Sequence, residues 1–272
     1  MALTVAIIGA LEKEVAQVYE TLEQRSQSDE AGLSVARGRL GSVRIVACTA
    51  GMGTVNAAAA AQHLISAYGA GTVIFSGIAG GLNPALHIGD VVVGECLRYL
   101  DTDTALIAES APGLEEFAST EHLVALAEEE LLAQGYRAVD AAAQESPAGK
   151  INADESSHQT EAEQATTVPA LDDQPRYLRG TIATGDRFVT GDAMRAAAIE
   201  ATSADCVEME GAAVAHIAIK NGAACLVLRA ISDNCDEAYD ALSQRQFDLD
   251  EYARSASALT LGIVRRLEAE ER

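Results

Sequence analysis

Two rhythms of apolar residues alternate along this chain. Short runs bounded by glycine or polar turns, TVAIIGA at 4–10, TVIFSGIAGG at 72–81 and ACLVLRAISD at 224–233, are almost continuously apolar at their centres. They predict strands buried on both faces. Between such runs, apolar residues recur three and four positions apart. Leu11, Val15, Val18 and Leu22 predict a helix after the first strand, and 54–68 predicts one rich in small residues, closed by Gly69. Another opens on Ser119-Thr120 and ends at Gly135. The stretch GLSVARGRLGSVRIVACTAG predicts two strands joined at Leu40-Gly41, and IGDVVVGECLRYLD, RGTIATGD and DCVEME predict three more. Helices at 191–201, 211–221 and about 246–268 complete the order. Strands alternating with helices imply an α/β chain whose sheet is largely parallel and covered on both faces.

One segment breaks the rhythm. From about Ala138 to Pro175 the chain is poor in large apolar residues and rich in Ala, Glu, Gln, Ser, Thr and Asp. Such a composition buries too little to offset its ordering entropy, so a surface insertion within a single domain of residues 1–272 is expected.

Composition narrows the function classes. With 49% hydrophobic and 22% charged residues the chain is globular in type. Its net charge of −22, from 19 basic and 41 acidic side chains, argues against binding nucleic acid or an anionic membrane surface, since both need basic patches. Cys48, Cys96, Cys206, Cys225 and Cys235 show no C-x-x-C spacing, and buried free thiols in a reducing compartment are expected. The first residues have no basic region, and their apolar run breaks at Glu12, so a signal peptide is not expected. These observations together predict a cytoplasmic protein without membrane spans.

In open α/β sheets ligands sit beyond the carboxyl ends of the strands. Here those ends carry Glu12, Lys13 and Glu14, then Met52 and Gly53, Ile78, Arg187 and Phe188, Glu208 with Glu210, and Ser232 with Asp233. Acids, glycines and one aromatic residue therefore collect at one edge. In an extended VEME, Glu208 and Glu210 would face one side and Met209 the other. A dinucleotide cofactor is not expected. The first strand-to-helix turn, GALEKE, lacks G-x-G-x-x-G and offers carboxylates where a pyrophosphate would sit.

The ordered set GALEKEV, TAGMGTVNAA, SGIAGGLNPALHIGDVVV, TGDRFV, VEMEGAAVAH and RAISDN resembles the nucleoside phosphorylase/nucleosidase superfamily. Within it the chain is most similar to bacterial 5'-methylthioadenosine/S-adenosylhomocysteine nucleosidases. The resemblance runs over about 4–100 and 180–265. It implies a nucleoside phosphorylase-like fold of three layers, α/β/α, around a mixed, largely parallel, twisted sheet, with a homodimer, no metal or organic cofactor, and cleavage of a purine N-glycosidic bond. It further implies roles for named residues. Asp233 would be the general acid toward the purine N7, and Glu14 would orient or deprotonate the water. Glu210 would bind the ribose hydroxyls, with Met209 against the sugar and Glu208 at the water site. Phe188 would stack on the base and Val189 would meet its edge through the backbone. Arg229 would hold the acids by charge pairing, and Met52, Ile78 and Ser232 would complete the substrate site.

Chemistry explains these residue types independently. A departing purine needs a proton on its ring nitrogen, and an oxocarbenium-like sugar is stabilised by carboxylates. Attack by water needs a base. Because the first loop offers Glu12 and Glu14 rather than arginines, hydrolysis is favoured over phosphorolysis. The chain departs from the family pattern at Ile78, which stands where a hydroxyl residue is usual, and at Leu100 in YLD. Another nucleosidase of the superfamily, such as a futalosine hydrolase, a phosphate-dependent phosphorylase, and a nucleoside-binding protein without turnover stay open as alternatives.

Overall fold

The computed structural model describes residues 3–110, 115–139, 174–236 and 246–271. Among the described residues eleven strands form one sheet: β1 (Thr4–Gly9), β2 (Glu23–Glu30), β3 (Leu33–Leu40), β4 (Val43–Thr49), β5 (Thr72–Gly81), β6 (Val91–Tyr99), β7 (Phe117–Ala118), β8 (Arg137–Ala138), β9 (Arg176–Thr184), β10 (Cys206–Glu208) and β11 (Ala224–Asp233). The helices are α1 (Glu12–Thr21), α2 (Thr54–Tyr68), α3 (Thr104–Ser110), α4 (Glu121–Ala133), α5 (Asp192–Thr202), α6 (Gly211–Lys220) and α7 (Gln246–Glu270).

Strand order is β10-β9-β6-β11-β5-β1-β4-β3-β2. Pairing is parallel through β4-β1-β5-β11 and through β6-β9-β10, and antiparallel at β2-β3-β4 and β6-β11. Since β10 also pairs antiparallel with β5, five strands close into a ring, β5-β11-β6-β9-β10. The closure brings the ends of β5, β9, β10 and β11 to one mouth.

Alternation along each strand divides the core into two layers. In β1, Ala6 and Ile8 pack with α2 and α6, while Val5 and Ile7 pack with α1, α4 and α7. In β11, Val227 and Ile231 join the first group, and Leu226 and Leu228 the second. Small residues on α2 (Ala57, Ala60, Ala61) and α6 (Ala212, Ala215, Ala218) let these helices lie close together on the sheet. A third cluster, of Leu82, Val189, Ala198, Val207 and Cys235, seats α5. Among the described residues no helix is long and apolar enough to cross a membrane.

Differences from the sequence expectations have local causes. Strand β2, EQRSQSDE, is mostly exposed and has no apolar face; its backbone ladder to β3 makes it a strand. Periodicity also did not predict α3, β7 and β8, which are short. The VEME strand ends early, at Glu208 rather than Glu210. Of the insertion expected at about 138–175, all but its first and last two residues lies outside the described residues.

Candidate active site

A cavity of about 850 Å³ opens where the carboxyl ends of the strands converge. Of the residues expected there, it is lined by Glu14, Met52, Ile78, Phe188, Val189, Glu208, Met209, Glu210, Ser232 and Asp233. Arg229 is absent from the wall and lies behind it.

Glu14 enters from the first turn of α1. Its Oε2 accepts the Leu11 N–H at 2.8 Å, half of a capping box, since Leu11 has no side-chain acceptor to return the bond. Its Oε1 accepts the Ile78 N–H at 3.1 Å, tying α1 to β5. Gly77 makes this approach possible, because a Cβ there would lie 2.5 Å from Glu14 Oε1. Burial raises the pKa of Glu14 above the ordinary carboxylate value, against the pull of Arg229 and the backbone N–H donors.

Asp233 closes β11 at an irregularity. Ile231 pairs with Ala79 and Asp233 with Gly80, so Ser232 is the extra residue of a bulge. Bulges re-aim neighbouring side chains. Here the Cys235 N–H donates to Asp233 Oδ1, and the Ser232 hydroxyl to Oδ2, both at 2.8 Å. Gly80 leaves the room: a Cβ would lie 2.5 Å from Cys235 Sγ and 3.1 Å from Asp233 Oδ1.

The two acids of VEME go separate ways. Glu208 Oε2 accepts the N–H groups of Glu210 (3.1 Å) and Gly211 (2.7 Å), which starts α6 and stops the strand. The same oxygen accepts Arg229 Nε at 3.1 Å and Arg229 Nη2, while Oε1 accepts the Thr184 hydroxyl. Thr184 in turn accepts the Ala212 N–H at 2.8 Å. Glu208 thus touches the cavity with both oxygens engaged by protein groups. This corrects the extended picture: Met209 and Glu210 both line the cavity, and Glu208 anchors the turn beneath them.

Glu210 is the residue preceding α6, and its Oε1 accepts the Gly53 N–H at 2.8 Å across the site. Burial raises its pKa to about 8, with Glu208 adding to the rise and Arg229 and Gly53 opposing it. Arg229 is almost wholly inaccessible, its guanidinium carbon 4.2 Å from the centre of the Phe75 ring and Nη2 3.9 Å from Glu210 Oε2. Burial works against its charge, but Glu208, Glu210 and Glu14 outweigh that and hold its pKa above the ordinary value. One cation therefore sits behind three carboxylates.

Phe188 and Val189 follow β9 and line the cavity, as does Met52. Sequence reasoning gave no role to Thr184, to the Gly53 N–H, or to Leu249, which α7 contributes to the wall. A TGD motif marks Thr184 only as the end of a strand, and nothing near Leu249 signals a distant cavity.

The chain has known relatives. The profile of the Phosphorylase superfamily matches residues 4–266. The chain is 32% identical over 273 residues to a 5'-methylthioadenosine/S-adenosylhomocysteine nucleosidase of Treponema pallidum, covering 98% of this chain and 94% of that one. It is 26% identical to an aminodeoxyfutalosine nucleosidase of Campylobacter jejuni, with 97% of each covered. Its fold is similar to the crystal structure of the 5'-methylthioadenosine/S-adenosylhomocysteine nucleosidase of Neisseria meningitidis in complex with methylthio-immucillin-A, with a TM-score of 0.76 and 27% identity over 96% of this chain and 98% of that one. The chain belongs to the phosphorylase superfamily and, within it, to the family of the 5'-methylthioadenosine/S-adenosylhomocysteine nucleosidases.

Proposed function

We propose that this protein hydrolyses the N-glycosidic bond of 5'-methylthioadenosine and S-adenosylhomocysteine, releasing adenine and the 5-thioribose product. The observation that carries the reading is the convergence of Glu14, Glu210 and Asp233, three buried carboxylates from different strand ends, on a cavity that also holds Phe188.

In this reading Asp233, positioned by Ser232 and the Cys235 N–H, delivers a proton to the purine N7 as the glycosidic bond breaks. The electron pair of that bond leaves with the base. Positive charge then develops on the sugar, and Glu14 and the ionised form of Glu210 stabilise it while Glu210 accepts from the ribose hydroxyls. Water attacks the anomeric carbon and loses a proton to Glu14, whose raised pKa makes it a stronger base than an ordinary carboxylate. Phe188 stacks on the base, Val189 meets its edge, and Met209, Met52 and Ile78 enclose the nucleoside. Glu208 and Arg229 act from behind, orienting the turn and balancing the acids.

A second reading, phosphorolysis, has Lys13 and Arg187 on the cavity wall in its favour. Against it, the first loop presents Glu12 and Glu14, and Arg229 is committed to Glu208. A purified-protein assay with 5'-methylthioadenosine separates the two. Free adenine and unphosphorylated methylthioribose at a rate indifferent to phosphate support hydrolysis; a phosphate requirement with a sugar 1-phosphate product defeats it. Release from a futalosine-type nucleoside but not from 5'-methylthioadenosine would move the substrate assignment toward the Campylobacter jejuni relative.

We also propose a homodimer in the cytoplasm. Supporting the dimer, Met52, Val55 and Leu106 expose apolar side chains, 47%, 78% and 62% accessible. The five unpaired cysteines suit a reducing compartment. Sedimentation at micromolar concentration tests the dimer, and a monomer there removes it.

A further inference from the structure

Two acidic residues of the sequence motifs have no part in this chemistry, Asp101 and Asp186. Asp186 is exposed and does not line the cavity, yet both of its oxygens are committed. Oδ1 accepts the Thr54 N–H at 2.7 Å and Oδ2 the Thr54 hydroxyl at 2.6 Å, across 132 positions of sequence. Helix α2 is preceded by Gly53, which has no side chain to cap it, so Asp186 supplies the missing cap. Gly53 has φ of 97°, and a Cβ there would stand 3.1 Å from Asp186 Oδ1. The backbone of Asp186 is fixed as well, its N–H donating to Asp101 Oδ2 at 3.0 Å.

Two consecutive N–H groups are thereby clamped by two acids. Gly53 is held by Glu210 inside the site and Thr54 by Asp186 outside it. Met52 immediately precedes this pair, and Phe188 and Val189 follow Asp186 by two and three residues. The carboxylate of Asp186 therefore joins two loops that both contribute residues to the cavity lining.

We propose that Asp186 is a positioning residue for this site. It latches the Met52–Thr54 loop to the Phe188–Val189 loop, setting the width of the base cleft and aiming the Gly53 N–H at Glu210. The inference rests on the nucleosidase reading for its kinetic consequence, but the latch itself is a property of the fold.

Asp186→Ala, Asp186→Asn and Thr54→Val are compared with the unaltered protein. The readouts are KM and kcat for 5'-methylthioadenosine, adenine affinity by calorimetry, melting temperature, and hydrogen exchange at the Gly53 and Thr54 amides. Asp186→Ala is expected to raise KM and the adenine Kd by about tenfold to a hundredfold, with kcat falling less than KM rises. Exchange at both amides should quicken. Asp186→Asn keeps one acceptor and should recover most of the affinity. Thr54→Val should shift KM in the same direction and add little on top of Asp186→Ala. Unchanged KM and adenine affinity with only a lower melting temperature would overturn the proposal, as would unaltered amide exchange. Should Asp186→Ala fail to fold, Asp186→Asn and Thr54→Val decide the matter by the same readouts. If the unaltered protein releases no adenine, the nucleosidase reading fails and the latch stands or falls on amide exchange alone.

Discussion

Arg229 donates through both Nε and Nη2 to a single oxygen of Glu208, and both side chains are buried, Glu208 at the cavity wall and Arg229 behind it. Each group would be costly alone in that environment, and each makes the other tolerable. The pair also fixes the turn after β10, because the same Glu208 oxygen holds the N–H groups of Glu210 and Gly211.

Arg229→Met should therefore destabilise the fold by about 3–5 kcal/mol, since it leaves Glu208 buried without its counter-ion. Urea unfolding measures this. A loss under about 1 kcal/mol would mean that Thr184 and the backbone donors suffice to hold Glu208.

Asp233→Asn keeps a carbonyl oxygen for the Cys235 N–H and an amide that can face the Ser232 hydroxyl, so the fold should persist. Turnover should fall by about 10²–10⁴, the usual consequence of losing a general acid. Near-normal release of adenine would remove Asp233 from the mechanism.

Gly77→Ala tests the seat of Glu14 without touching its chemistry. The added methyl would lie 2.5 Å from Glu14 Oε1 and must displace the carboxylate from the Ile78 N–H. Turnover should drop by about 10², as misplacement on the scale of 1 Å does elsewhere. Glu14→Gln should lower it by about 10²–10⁴, with ligand affinity less affected than turnover. Unimpaired turnover in both variants would show that Glu14 does not handle the water.

Glu210 links stability to pH. Its pKa in the folded protein is raised from the ordinary 4.5 to about 8, so the folded chain holds a proton that the unfolded chain releases. Stability from this group is fully present below about 4.5 and is lost as pH rises to about 8. Denaturant unfolding across that window should show stability falling with pH, and Glu210→Gln should flatten the slope. A parallel profile in the variant would assign the dependence to other groups.

Much of the architecture was legible in the chain. Alternation of Val5 and Ile7 with Ala6 and Ile8 records a strand covered on both faces, and that pattern repeats in β5 and β11. The alanines of α2 and α6 announce close-packed helices. Because ligands gather at strand ends, knowing the strands was enough to put Glu14, Glu210 and Asp233 on one edge of the sheet, and the motifs supplied their expected roles.

Only the tertiary structure decided what each acid does there. Periodicity treats Glu208 and Glu210 as equivalent. Their difference comes from partners far along the chain: Arg229 and Thr184 draw Glu208 inward, while Gly53 meets Glu210 across the cavity. The polar strand β2 exists through its backbone pairing with β3, and Asp186 caps a helix that begins 132 positions before it. An apolar pattern records which face of an element is buried, because burial acts on each side chain individually. Hydrogen bonds and ion pairs depend on where a second residue is brought, and in this chain the closing of β10 onto β5 determines that.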